Sequence, residues 1–165
     1  RRLAREYGTE HPLAMAAQRA LAASRGAIVD LEAADAPSTE AALCQVSAEL
    51  AARFSVDVKV SVAEDGADDH SDADRREIVR IAREAVANAA RHGGARHVSV
   101  NLGSRASGVL LRVIDDGCGF GAASAHTAGT GLGMRTMRER ADYLGAELIT
   151  GDSRPGRTVL DVVPR

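Results

Sequence analysis

Aromatic residues are almost absent, at 2% of the 165-residue chain with no tryptophan. No row of rings is available on which nucleic-acid bases could stack, and the core has to be built from Ala, Val, Leu and Ile. Charge of one sign is missing too. The formal net charge is -2, and Arg residues are interleaved with Asp and Glu rather than gathered into the basic stripe of a nucleic-acid binder. No apolar run approaches the roughly 20 residues that a membrane-spanning helix needs, and no signal-peptide pattern opens the chain. The expectation is a cytoplasmic piece making no membrane contact itself, whose parent is free to be membrane-anchored. The two cysteines, Cys44 and Cys118, have no histidine at ligand spacing and read as reduced thiols. The first residue is Arg1 rather than Met, so an excised fragment is expected.

What is present suits an ordinary soluble core: 45% hydrophobic and 27% charged residues, in a length that fits one domain with a helical appendage. From Pro12 to about Ala34 an Ala-rich stretch carries Leu21, Ile28 and Leu31 on one narrow stripe, predicting a helix. After Pro37, Ser38 is placed to cap a second helix, Thr39 to about Phe54, with Leu43, Val46, Leu50 and Phe54 on one side. Val56 to Val62 alternates like a half-buried strand. Ser71 and Asp74 resemble a capping box opening a helix that runs from about Asp72 to His92 and stops at Gly93–Gly94. Two strands follow, His97 to Leu102 and Val109 to Asp115, then a Gly-rich stretch, a helix from about Leu132 to Leu144, and two final strands, Glu147 to Gly151 and Thr158 to Val163. This order predicts an α+β fold, a two-layer sandwich whose mixed sheet is covered by helices on one face. Residues 1–54 are expected to form a separate helical segment and 55–165 the domain proper.

Four constellations could carry chemistry. Glu84, Asn88 and His92 recur in steps of four, one stripe on a helix. Asn88 borders the apolar face, where its carboxamide oxygen could ligate a hard cation such as magnesium. Asp115-Asp116-Gly117-Cys118-Gly119-Phe120 leaves a strand, with glycines that let backbone approach a flat ligand and a carboxylate able to accept from an exocyclic amine. Gly129-Thr-Gly-Leu-Gly133-Met opens a helix whose free N–H groups favour phosphate oxygens, although no Lys–Ser/Thr pair follows as in a P-loop. Gly156-Arg157-Thr158 starts the last strand. Each has a plain alternative: solvated helix residues, an acidic turn, a Gly-rich loop, a hairpin. Their joint order, each at an element boundary, is far more specific than any member.

In that order the four motifs resemble the N box, the two glycine boxes and the terminal Gly-x-Thr element of the GHKL superfamily, which shares the Bergerat ATP-binding fold among gyrase, MutL and histidine kinases. The string GLGMRTMRERADYLGAEL is especially similar to the NarL-type subfamily of sensor histidine kinases. That subfamily has a short nucleotide lid, for which Gly121 to Ala128 is available. The upstream helices resemble a second dimerisation helix and connector. The resemblance implies an ATP-dependent protein histidine kinase of a two-component phosphorelay, with ATP and Mg2+ as ligands. It also implies a homodimer in the full-length protein and a response regulator with a helix-turn-helix output as partner. It assigns magnesium to Asn88, the adenine amino group to Asp116 with Gly119 beside the ring, and the phosphate loop to Gly129, Gly131 and Gly133. Thr158 would support the adenine pocket, Glu84 matches a catalytic base, and His92 would touch phosphate or metal-bound water.

The acceptor histidine is not evident. His11 is the only upstream candidate, and Pro12 behind it disfavours helical geometry. His70 and His97 lie in a loop and at a strand start, and His126 in the expected lid. The isolated fragment is therefore expected to bind ATP without phosphorylating itself. Two rivals share the motifs: an anti-sigma-factor-type serine kinase, and an ATP-binding module without transferase activity.

Overall fold

A computed structural model describes residues 36–63, 70–103, 110–119 and 132–165. The expected helix from Pro12 to Ala34 lies outside these residues, as do Phe120, His126, the expected lid, Gly129 and Gly131.

The described chain runs α1 (Thr39–Phe54), β1 (Asp57–Val62), α2 (Asp72–Asn88), a five-residue π-helical segment (Ala89–Gly93), β2 (His97–Leu102), β3 (Leu111–Asp115), α3 (Leu132–Tyr143), β4 (Ala146–Arg154) and β5 (Arg157–Pro164). Both helix starts follow from capping. Ser38 Oγ accepts from the Ala41 N–H and Ser71 Oγ from the Asp74 N–H, each at 3.1 Å, satisfying donors that a helix start leaves open. The sheet has the order β1-β2-β3-β5-β4. β1 and β2 are parallel and joined through α2, while every other pair is antiparallel. This is the mixed sheet and helix layer that the pattern predicts.

Alternation decides which face is dry. In β3, Leu111 and Val113 are buried and Arg112 is exposed; in β5, Thr158, Leu160 and Val162 are buried. On the open face a polar row crosses four strands: Ser61 Oγ donates to Asn101 Oδ1, Asn101 Nδ2 to the Arg112 carbonyl, and Arg112 holds Asp161 bidentately at 2.7 and 2.8 Å.

Helix α1 packs into the core: Leu43, Val46 and Leu50 share it with Ile78, Ile81, Val86, Val100 and Val113. Arg83 Nη2 reaches Glu49 Oε1 at 3.0 Å, and Arg75 Nη1 reaches the Ala36 carbonyl at 2.7 Å, fastening α2 to α1 at two levels. The apolar stripe of α1 is therefore core. Leu50→Ala is expected to cost about 3 kcal/mol in denaturant unfolding monitored by circular dichroism. A loss below about 1 kcal/mol would mean that α1 is an appendage.

Candidate functional site

The end of α2 shapes the site. After Asn88 the helix widens into the π-helical segment, a departure found preferentially at functional sites. It closes at Gly94, which is left-handed at φ 61°, and the Ala89 carbonyl accepts the N–H groups of both Gly94 and Ala95. The predicted stripe Glu84–Asn88–His92 therefore does not continue as drawn. The wider turn rotates His92 off the line of the other two, and its side chain is exposed. The Gly93 carbonyl accepts the Cys118 N–H at 2.9 Å, which docks the glycine loop after β3 onto the helix end. On its other side that loop receives the β4–β5 turn, where the Gly156 N–H donates to the Gly117 carbonyl at 2.8 Å. Gly119, at φ 84°, lies under Ser153 and Arg154.

The two adjacent carboxylates of this loop face opposite ways. Asp115 continues the Leu111–Val113 face, toward the helices, and stands opposite Thr158 in the β3–β5 register. Its Oδ1 accepts the Gly117 N–H at 2.9 Å. Burial pushes the Asp115 carboxyl above its ordinary value, with the nearby Asp116 charge adding to the rise, against the opposing pull of Gly117 and the Thr158 hydroxyl. Thr158 Oγ1 is itself buried, and beyond this influence on Asp115 it has no hydrogen bond of full geometry among the described residues.

Asp116, the residue expected to meet adenine, is turned to the open face. Its Oδ1 accepts from the Arg96 and His97 N–H groups at 2.7 and 2.9 Å, and Oδ2 lies 2.7 Å from His97 Nδ1. The His97 backbone and ring, followed by the Arg96 N–H, hold its carboxyl down at about 2. Asp115, not Asp116, therefore stands on the inward side of the sheet opposite Thr158. The signal was in the sequence, because period-two alternation from Leu111 puts residue 115 inward and residue 116 outward.

Glu84 and Asn88 converge on Gly133 in the first turn of α3. A side chain there would collide with Glu84 Oε1 and come within 3.3 Å of Asn88 Nδ2. Neighbouring Arg83 points to α1 while Glu84 points to α3. Helix α3 is held by Arg140, whose Nη1 reaches Glu77 Oε2 at 2.5 Å; Arg80 takes the other oxygen of Glu77 at 2.6 Å. A Glu84 carboxylate oxygen and the Asn88 amide nitrogen thus face a helix start, and both side chains carry an oxygen of the kind that ligates a hard cation. Among the described residues no three His, Cys, Asp or Glu side chains gather into a metal cage.

The half-buried Asp115 carboxylate thus stands opposite Thr158 and beside Gly93 at the end of the π-helical segment, while Glu84 and Asn88 face the start of α3. A comparison with known families bears on this arrangement: residues 73–164 match the model of the histidine kinase-, DNA gyrase B- and HSP90-like ATPases. The chain belongs to this family. The ATPase domain is 34% identical over 89 residues to the sensor histidine kinase MctS of Rhizobium johnstonii, covering 53% of this chain and 19% of that protein. It is 34% identical over 100 residues to the sensor histidine kinase LiaS of Bacillus subtilis, covering 59% and 25%. It thus spans about a fifth to a quarter of these relatives. A histidine kinase domain from a blue-light activated kinase of Erythrobacter litoralis has the same fold, with a TM-score of 0.61 at 23% identity over 98% of this chain and 79% of that one. Among the described residues of the ATPase domain, no helix is long and apolar enough to cross a membrane.

Proposed function

We propose that the ATPase domain is the catalytic part of a two-component sensor histidine kinase, working on the cytoplasmic side. It binds ATP with magnesium and passes the γ-phosphoryl group to a histidine on a dimerisation helix of the full-length homodimer. The phosphohistidine then serves an aspartate on a response regulator with a helix-turn-helix output. The GLGMRTMRERADYLGAEL string supports the NarL-type subfamily. What supports the reading is the placement of Asp115 opposite Thr158 at the end of the sheet and of Glu84 and Asn88 against Gly133 at the start of α3.

The adenine amino group donates to Asp115, a half-buried acceptor, and Thr158 supports the ring directly or through water. Gly119 keeps the wall flat. Gly129, Gly131 and Gly133 shape the phosphate loop at the start of α3. Asn88 would hold magnesium, whose charge neutralises the phosphates, and His92 would lie within reach of phosphate or bound water. Glu84 takes or orients the acceptor imidazole proton as the bond from phosphorus to the bridging oxygen of ADP breaks and a phosphorus–nitrogen bond forms. Catalysis of this type is mostly positioning.

The test mixes the 165-residue chain with labelled ATP, magnesium and a dimerisation-helix hairpin of a homologous kinase. Acid-labile label on the hairpin histidine is expected. Glu84→Gln should slow transfer about 100-fold while ATP still binds. Acid-stable label on a serine would identify a serine kinase, and binding without transfer a nucleotide-binding module.

A further inference from the structure

Asp116 makes more bonds than a surface carboxylate needs. Three donors from residues 96 and 97 converge on its oxygens, and its own N–H donates back to the His97 carbonyl at 3.2 Å. The side chains of Asp116 and His97 are 38% and 69% exposed, so the arrangement buries little apolar surface and contributes little to the core. Exposed ion pairs of this kind add little to stability. What the arrangement does is geometric. It ties the last peptide of β3 to the start of β2, one residue after Asp115. On the far side of the same reversal, Gly117 N–H holds Asp115 Oδ1 and Cys118 N–H holds the Gly93 carbonyl.

We propose that Asp116 is a positioning residue for base recognition: by pinning the end of β3 from the open face, it fixes the direction in which Asp115 presents its carboxylate to the nucleotide. The inference rests on the reading that the base lies on Asp115. A carboxylate held in one direction accepts from the 6-amino group of adenine and repels the 6-oxo group of guanine, so its orientation sets base choice. A loosened β3 end lets the Asp115 carboxylate swing, which weakens the adenine contact and relieves the clash with guanine. Asp116 then governs selectivity as well as affinity. His97 acts one step further out, through its ring contact with Oδ2.

Isothermal titration of the 165-residue chain with Mg-ATP and with Mg-GTP tests this, alongside thermal melts. Asp116→Ala is expected to weaken ATP binding about tenfold and to reduce the preference for ATP over GTP by a similar factor, with little change in melting temperature. Asp116→Asn keeps an oxygen for the two backbone N–H groups and should retain most of both. His97→Ala should give a smaller loss in the same direction. Unchanged ATP binding in Asp116→Ala overturns the proposal, and so does an equal loss for both nucleotides, which marks general loosening. A wild-type chain that takes up neither nucleotide overturns the functional reading, and this inference with it.

Discussion

Asp115→Ala is expected to lose nucleotide binding, with Mg-ATP affinity falling about 100-fold or more, while the folded chain becomes no less stable. The two halves of this expectation have one cause. Burial raises the carboxyl of Asp115 above its ordinary value, so the folded state favours the protonated form. Below the unfolded pKa the group is neutral in both states; as pH rises through the folded pKa, its ionisation draws on folding stability. When ionised, this half-buried carboxylate is poorly solvated and is relieved by the Gly117 N–H and the Thr158 hydroxyl. A nucleotide amino group supplies the missing donor. Removing the carboxylate removes both the strain and the recognition. Thermal melts and calorimetry on the same sample check this. A variant that binds ATP like the wild type would place the base elsewhere.

The second large effect belongs to Gly117. A methyl group there would meet the Gly93 carbonyl oxygen at 2.7 Å, the Gly93 carbonyl carbon at 3.0 Å and Asp115 Oδ1 at 2.8 Å. Two of these atoms are backbone and cannot rotate aside, so the loop must lift away from the π-helical segment and break the Cys118–Gly93 hydrogen bond. Gly117→Ala should cost about 2–3 kcal/mol and weaken Mg-ATP binding at least tenfold, since both walls of the base pocket move apart. Gly94→Ala is the control. Its added methyl meets nothing within 4 Å, but φ is +61°, so about 1 kcal/mol of backbone strain is all that should appear. Equal melting temperatures and affinities for the two variants would show that the loop and the helix end are not tightly apposed.

Much of the fold was legible because its signals are local. Ser38 and Ser71 cap the helices where their positions suggest, and Val58, Val60 and Val62 alternate in β1 as a half-buried strand does. The motif order also pointed to one nucleotide cleft. Two features depended on tertiary context. The π-helical segment was hidden because Ala89–Gly93 has ordinary helical composition; its geometry is held from outside, by the Cys118 N–H on the Gly93 carbonyl. The membership of α1 in the core was hidden because an amphipathic stripe does not say which surface covers it. The inward carboxylate of the Asp115–Asp116 pair was readable in principle, since β3 alternates strictly from Leu111 to Val113. The family resemblance was carried onto the second carboxylate, whereas the strand's own phase turns the first inward.

The early placement of α1 has a practical outcome for anyone trimming the protein. Cutting at the first strand, where motif-based boundaries would fall, strips the cover from α2 and β1 and leaves their apolar sides in water. A patch of that kind drives self-association, and β1, the outer strand of the sheet among the described residues, would be a ready seed for it. Solubility on expression therefore depends on a helix that contributes no atom to the nucleotide cleft.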